Sequence, residues 1–295
     1  RFSAWENIYL PVAAMFSGCQ VLHCTSSGGP FWSAQPQLLT IHDLIPLCFD
    51  DGHSEKGKKH FFKRLNNGIR NAKRIITVSA HTRKDLLAIF PDLLSPIDVI
   101  HWGADWISEH TGKSTVDSPY LIAFGGEANR KNTQYTLERY FAVATSLPDL
   151  KLVMVGINSW RLRQNVIELA EQQGLRDRVI LPGFVSESEL DSLIRNATAL
   201  LYLSLYEGFG LPVLEAIERS VPVIASDRTS MSEILEGTIG CFPLENPKTI
   251  EQAIIDLLTN PDTCNRWQIE QAKILTRFDW KKTATQTIKA LESCV

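Results

Sequence analysis

The sequence predicts an α/β protein of two domains, each built on a parallel sheet, and three observations carry that prediction. The chain has 295 residues, about twice a common domain of roughly 150, so two cores are expected rather than one. Short apolar runs alternate with longer stretches of helical period, and strands apolar on both faces belong in parallel sheets covered by helices. A polar stretch from Thr111 to Pro119, with Gly112 and Pro119 as breakers, separates two such series. The expected division is a first domain over 1–112, a linker over 113–119, a second domain over 120–276 and a closing helical segment over 277–295.

In the first series the strands are Gln20–Cys24, Gln37–Ile41, Arg74–Val78 and Ile97–Ile100. This series is the less complete. Arg1 to Glu6 reads like the middle of a helix, with neither a charged leader nor an initiator methionine, so the first domain is expected to lack its beginning. The second series has strands at Tyr120–Phe124, Lys151–Val155, Arg178–Leu181, Ala199–Leu203 and Pro222–Ala225. Helices are expected at Asn132–Leu147, Trp160–Gln173, Ser186–Arg195 and Leu211–Glu218, and the chain reads as helical from Asn260 to its end. That alternation is Rossmann-like. No internal repeat and no low-complexity segment interrupts it.

Composition narrows the functional classes. Hydrophobic residues make up 44% and charged residues 21%, the balance of a folded protein rather than a disordered one. Lys+Arg total 30 against Asp+Glu 33, a net charge of -3, which gives no global attraction for nucleic acid. The 6 cysteines form no CxxC pair and have no histidines at zinc-site spacing, so neither a disulfide framework nor a structural metal is indicated. A reducing cytoplasm fits best. The apolar stretch from Ile8 to Leu22 is broken by Pro11, Ser17, Gly18 and Gln20, short of the 18 or so apolar residues of a spanning helix.

Two strand-to-helix junctions concentrate the chemistry. In the first, Ser204 to Ala216, Gly208 and Gly210 permit a tight turn, and Pro212 fits only the first turn of the following helix. The unpaired amides there, with the positive end of the helix dipole, favour an anion such as phosphate. Glu207 falls on the loop and Glu215 about one turn into the helix. Were both helical, eight residues would separate their backbones by about 12 Å, against roughly 5–9.5 Å between the carboxyls of glycoside hydrolases. Acceptor-only carboxylates beside a phosphate site suit hydroxyl binding, Glu215 on a ribose and Glu207 on a sugar; alternatively Glu215 is simply a first-turn acid favoured by the dipole. Gly208-Phe209-Gly210 lacks the third glycine of the dinucleotide fingerprint, since Val213 stands there, which disfavours an NAD site.

The second junction is Phe124-Gly125-Gly126-Glu127-Ala128-Asn129-Arg130-Lys131-Asn132. Cations are favoured at helix C-termini, so Arg130 and Lys131 at a helix start oppose the dipole. A bound anion would resolve that conflict; a solvated basic turn is the plainer reading. Both junctions lie at carboxyl ends of strands, the edge where open α/β sheets bind ligands.

These residues resemble the retaining glycosyltransferases of family four. Glu207 to Glu215 matches the E-x7-E motif, inside a longer pattern that runs from Gly183-Phe184-Val185 to Pro222–Asp227. Arg130-Lys131-Asn132 is similar to the family's R-K-N/G turn. First-domain signatures resemble Trp5-Glu6, Thr40–Pro46 with His42-Asp43, Val78-Ser79 and Ile100–Asp105. The likeness spans nearly the whole chain.

The resemblance implies a GT-B architecture, two Rossmann-like domains facing a cleft, the first of them incomplete here. The nucleotide-sugar donor would sit mainly on the second domain and the acceptor mainly on the first, with the closing helix crossing back to the first. Glu215 would bind the donor ribose and Glu207 the transferred sugar, while Lys131, helped by Arg130, would bind the diphosphate. Amides of Phe209, Gly210 and Leu211 would touch sugar and phosphate, with the glycines Gly125, Gly126 and Gly208 in the same donor-binding set. Backbone around Phe184 and Val185 would flank the base, and His42 would stand near the reacting centre. Gly126 departs from the family, in which many members carry an arginine for the diphosphate. The strand and glycine-rich loop with which members begin do not occur here.

The implied activity is hexosyl transfer with retention of configuration, from a UDP- or GDP-hexose to a glycan or lipid-linked glycan, in bacterial polysaccharide synthesis. No D-x-D sequence occurs, and neither metal nor cofactor is expected. The leaving phosphate oxygen would accept the acceptor's proton, so no dedicated base is nominated. A basic helix within 56–74, with Phe61, Phe62, Leu65 and Ile69 at helical spacing, could lie on anionic lipid or hold a phosphorylated lipid acceptor, or be an ordinary core-facing helix with a solvated side. The protein is expected in the cytoplasm, with peripheral contact at the inner membrane face. The alternatives are a nucleotide-sugar-binding remnant without transfer activity, and another GT-B-like enzyme such as a phosphorylase or epimerase.

Overall fold

The computed structural model describes residues 4–104, 116–117 and 119–295. Most of the expected linker over 113–119 therefore lies outside the described residues, as do Asp105 and the first three residues. The chain divides into two compact units. The first comprises Arg1–Gly103, Glu207–Phe209 and Phe278–Val295, and the second Ala104–Tyr206 and Gly210–Arg277.

The first unit carries four parallel strands in sequential order, β1 (Leu22–Cys24), β2 (Gln37–Ile41), β3 (Ala72–Thr77) and β4 (Ile97–Val99). Every residue of β2 is buried, the pattern of a strand covered on both faces. On one face Leu39, Ile41, Leu65, Ile75 and Leu86 form a core. On the other, Leu38, Ile76 and Ile100 pack against Ala290 and Cys294 of the closing segment.

Helix α1 (Leu10–Phe16) precedes β1, α2 (Ile45–Cys48) and α3 (Glu55–Asn71) link β2 to β3, and α4 (Ala80–Ile89) links β3 to β4. A single π-helical turn over Trp5–Tyr9 leads into α1. There buried Glu6 receives both Arg64 Nη2, at 2.7 Å, and Arg64 Nε, at 3.2 Å. Helix α3 turns Leu65, Gly68 and Ile69 inward, so its apolar face is largely spent on the core. Lys56, Lys59, Lys63 and Arg70 remain exposed.

The second unit is a six-stranded parallel sheet of β5 (Tyr120–Phe124), β6 (Lys151–Val155), β7 (Val179–Ile180), β8 (Ala199–Tyr202), β9 (Val223–Ser226) and β10 (Cys241–Phe242). The spatial order is β10-β9-β8-β5-β6-β7. Its helices are α5 (Thr133–Ala144), α6 (Trp160–Gln172), α7 (Glu187–Arg195), α8 (Leu211–Glu218), α9 (Ser230–Ile234), α10 (Pro247–Thr259) and α11 (Pro261–Ala272), and α12 (Trp280–Glu292) closes the chain in the first unit. The strands and helices expected from apolar runs form within a few residues of their expected bounds. Strand β10 and helices α1, α2, α4, α9 and α10 were not anticipated: a two-residue strand gives no periodicity to read, and these helices follow no motif.

The functional consequence lies in the strand order. From β5 the chain proceeds outward through β6 and β7, then returns to place β8 on the other side of β5 and continues through β9 to β10. Strands β5 and β8 are paired, and the direction of winding reverses between them. At such a switch point the loops leaving the two carboxyl ends part to opposite faces and leave a crevice for ligands. The two loops here are the two junctions singled out in the sequence.

Candidate active site

In the second unit, the turn after β5 is held rigidly. Thr133 Oγ1 accepts from Gly126 N at 3.1 Å and donates to Gly126 O at 3.0 Å, closing the loop on itself. Asn129–Lys131 form a 3-10 turn, and Asn132 follows in the left-handed conformation, φ 52, which Asn and Gly tolerate best. Asn132 Nδ2 then donates to Leu203 O at 3.0 Å and Leu205 N donates to Arg130 O at 2.7 Å. These two bonds stitch the β5 turn to the β8 loop, within the second unit.

The stitching places Lys131 over Tyr202. Its Nζ donates to the Tyr202 hydroxyl at 3.3 Å and lies 5.3 Å from the ring centroid. Tyr202 is the last residue of β8 and is buried, so the lysine stem is laid along the strand end rather than left to sample solvent. Tyr202 was not among the residues nominated from sequence; an aromatic closing an apolar strand reads there as core.

The β8 loop enters α8 through Gly210, whose φ of 136 is open to glycine and strained for any other residue. A Cβ there would also run into Met231 Cε. No side chain caps α8, and proline stands in its first turn, so Leu211 opens the helix with its amide not taken by a side-chain cap. Glu215 is half-buried in the second turn. Burial pushes its carboxyl above the ordinary value of 4.5, against the opposing pull of the Arg219 guanidinium. Arg219 itself is held by Asp191 at 2.7 Å and by the Glu215 carbonyl at 2.8 Å. Phe184, 89% exposed, and half-buried Val185 lie between β7 and α7 at the same carboxyl edge, two strands from β5.

The remaining nominated residues, His42 and Glu207 to Phe209, belong to the first unit. His42 Nε2 donates to Thr25 O at 2.6 Å. In the neutral ring that bond leaves Nδ1 as a bare acceptor, and Nδ1 is buried without a partner. Glu207 is buried at 9% exposure. A Cβ on Gly208 would run into the His42 carbonyl oxygen and come within 2.7 Å of Asp43 Cβ, so glycine is required for this approach of two main chains. Phe209 is buried in an aromatic cluster, with ring centroids 5.6 Å from Trp102, 5.9 Å from Phe278 and 6.0 Å from His101. Trp102 in turn lies 5.2 Å from His42. Among the described residues no group of three or more His, Cys, Asp or Glu is placed to hold a metal ion, and no helix is long and apolar enough to cross a membrane.

Two α/β units on parallel sheets, one with a crevice at its switch point, define the class of fold. A family model described as "Glycosyl transferases group 1" matches residues 108–274, more than half of the chain, and the chain belongs to that family. The O-antigen chain mannosyltransferase B of Escherichia coli is 27% identical over 267 residues, which cover 85% of this chain and 68% of that protein. The serotype-specific mannosyltransferase WbdA of Escherichia coli is 26% identical over 270 residues, 85% of this chain and 33% of that protein. The chain thus spans about a third of WbdA's length. Among solved structures, a sucrose-phosphate synthase (tll1590) from Thermosynechococcus elongatus superposes with a TM-score of 0.73 at 18% identity, covering 96% of this chain and 76% of that one. The shared fold is GT-B.

Proposed function

We propose that the protein transfers a hexose, mannose by analogy with its relatives, from a nucleotide-diphosphate sugar to a glycan or lipid-linked glycan in bacterial polysaccharide synthesis. The observation that carries the reading is the stitched switch point. Lys131 is fixed over Tyr202, and the side-chain-uncapped start of α8 opens from the neighbouring strand.

In this reading the diphosphate lies on the α8 amides and on Lys131, with Arg130 beside it. Charge accumulates on the leaving oxygen as the glycosidic bond breaks, and donors already in place stabilise it without reorganisation. Glu215 accepts from the ribose hydroxyls and Glu207 from a hydroxyl of the transferred sugar, with His42 near the reacting centre. The departing phosphate oxygen takes the acceptor's proton on the face it leaves, so configuration is retained and no enzyme nucleophile is needed. Lys131, Arg130 and the amides supply the neutralising charge in place of a metal. The exposed lysines of α3 offer a peripheral contact with anionic lipid.

The test is a donor screen. The purified protein is given GDP-mannose, UDP-glucose and related donors with a lipid-linked glycan, and product anomers are read by NMR with and without EDTA. Retained product that survives chelation supports the reading. Nucleotide binding by calorimetry without turnover would establish a binding remnant instead. Vesicles of phosphatidylglycerol test the membrane contact: sedimentation insensitive to salt and to Lys59→Glu/Lys63→Glu would dismiss it.

A further inference from the structure

We propose that Ser79 and Thr82, at the start of α4, are positioning residues for Glu207, acting through the carbonyl of Gly208. The inference rests on the reading above, in which Glu207 contacts the transferred sugar.

Ser79 is the N-cap of α4 and wholly buried. Capping uses its oxygen as an acceptor, from Thr82 N at 3.0 Å, and an ordinary cap asks nothing of the hydroxyl proton. Here the proton has a destination. Ser79 Oγ donates at 2.7 Å to Gly208 O, 129 residues away in the chain. Thr82, also buried, has its hydroxyl 3.2 Å from the same carbonyl and 3.3 Å from His42 O. The two hydroxyls also lie 3.0 Å apart and hydrogen-bond each other, and together they serve the buried Gly208 carbonyl and the partly buried His42 carbonyl, one on each nominated segment of the first unit.

Three further observations show that the arrangement leaves no slack. Gly208 and the His42 carbonyl approach so closely that any side chain at 208 would overlap it. The His42 main-chain amide is itself tied, donating to Ser27 Oγ at 3.1 Å. Phe209, on the other side of Gly208, is locked among Trp102, His101 and Phe278. The hydroxyl pair therefore sets where the peptide between Glu207 and Phe209 lies, and with it the origin of the Glu207 side chain. Neither hydroxyl touches a reacting atom; removing them releases the carbonyl and lets Glu207 drift.

Four variants test this: Ser79→Ala, Thr82→Val, their combination, and Thr82→Ser, which keeps the hydroxyl. Misplacement of a substrate-contacting group costs about 10²-fold in rate. The double variant should lose kcat by about that factor while donor KM moves far less, and Thr82→Ser should stay close to wild type. Amide hydrogen exchange over 206–210 should accelerate in the double variant, whereas affinity for GDP or UDP, measured by calorimetry, should hold. Thr82→Val is nearly isosteric and keeps the Ser79 cap, so it reports even if the double variant folds poorly. Unchanged kcat and unchanged exchange in Thr82→Val and in Ser79→Ala would overturn the proposal, as would an equal loss in Thr82→Ser. If the wild-type protein neither binds nucleotide nor transfers sugar, the functional reading fails by itself, and the exchange data still decide whether the hydroxyls hold the segment.

Discussion

Replacing Lys131 by alanine separates catalysis from stability because the two effects differ widely in size. The folded chain's losses include the contact over the Tyr202 ring, 5.3 Å from its centroid, and a long 3.3 Å bond to the hydroxyl. A cation over an aromatic ring contributes about 0.5–1 kcal/mol when partly exposed, and one hydrogen bond about 1 kcal/mol. Set against a stability of about 5–15 kcal/mol, a loss of about 2 kcal/mol leaves about 99% of the molecules folded. Removing one preorganised donor from a developing anion costs about 2.7–4 kcal/mol, a factor of about 10²–10³. Any such fall in rate is therefore chemistry.

The assay is initial-rate transfer from radiolabelled donor, with nucleoside diphosphate affinity measured beside it. The loss should appear mainly in kcat, since charge reaches the leaving oxygen only in the transition state. Lys131→Arg should recover part of it, because the charge returns but on a planar fork of different reach. A folded Lys131→Ala protein with wild-type kcat, or one that loses only KM, would refute the role.

Three other outcomes follow from the geometry. Glu215→Gln should lower nucleotide affinity about 10-fold or more, since hydrogen bonds to a charged group are worth about 1.5–3 kcal/mol, yet raise the melting temperature at neutral pH. The folded carboxyl titrates above 4.5, so its contribution is fully present below that value and is lost as pH rises through the folded one. A melting temperature that falls at pH 7 would contradict this. Gly210→Ala should cost about 2 kcal/mol or more, from the positive φ and the overlap with Met231, read as a fall in Tm of about 4 °C or more. Glu6→Ala should cost about 1.5–3 kcal/mol by removing the carboxylate that two Arg64 nitrogens share, while adding Arg64→Ala should cost much less than a second such loss; additive urea midpoints would show that the pair is not coupled.

Strands β5 to β9 of the second unit were legible because each lies in a continuous apolar run: β5, β6 and β8 are buried almost throughout, and a strand covered on both faces cannot be disguised. The candidate site's backbone was legible where conformation restricts residue type. Gly210 at φ 136 and Asn132 at φ 52 leave a signature in sequence because few residues accept those angles. The expected conflict between Arg130, Lys131 and a helix start was real as a sequence feature, but the structure gives the lysine a protein partner in Tyr202.

What sequence alone determined, then, is what local sterics and periodicity enforce: the alternation of strand and helix, the glycine turns and the two junctions. Tertiary structure alone decided which junctions adjoin. The order β10-β9-β8-β5-β6-β7 is a property of crossovers, and nothing in the residues of β5 announces β8 as its neighbour. The bond from Ser79 to Gly208 belongs to the same class: a capping serine looks identical in sequence whether its proton is idle or holds a segment 129 residues away. Hydrogen-bond direction is settled by what packing brings within 3 Å or so, and packing is the one quantity a linear pattern does not contain.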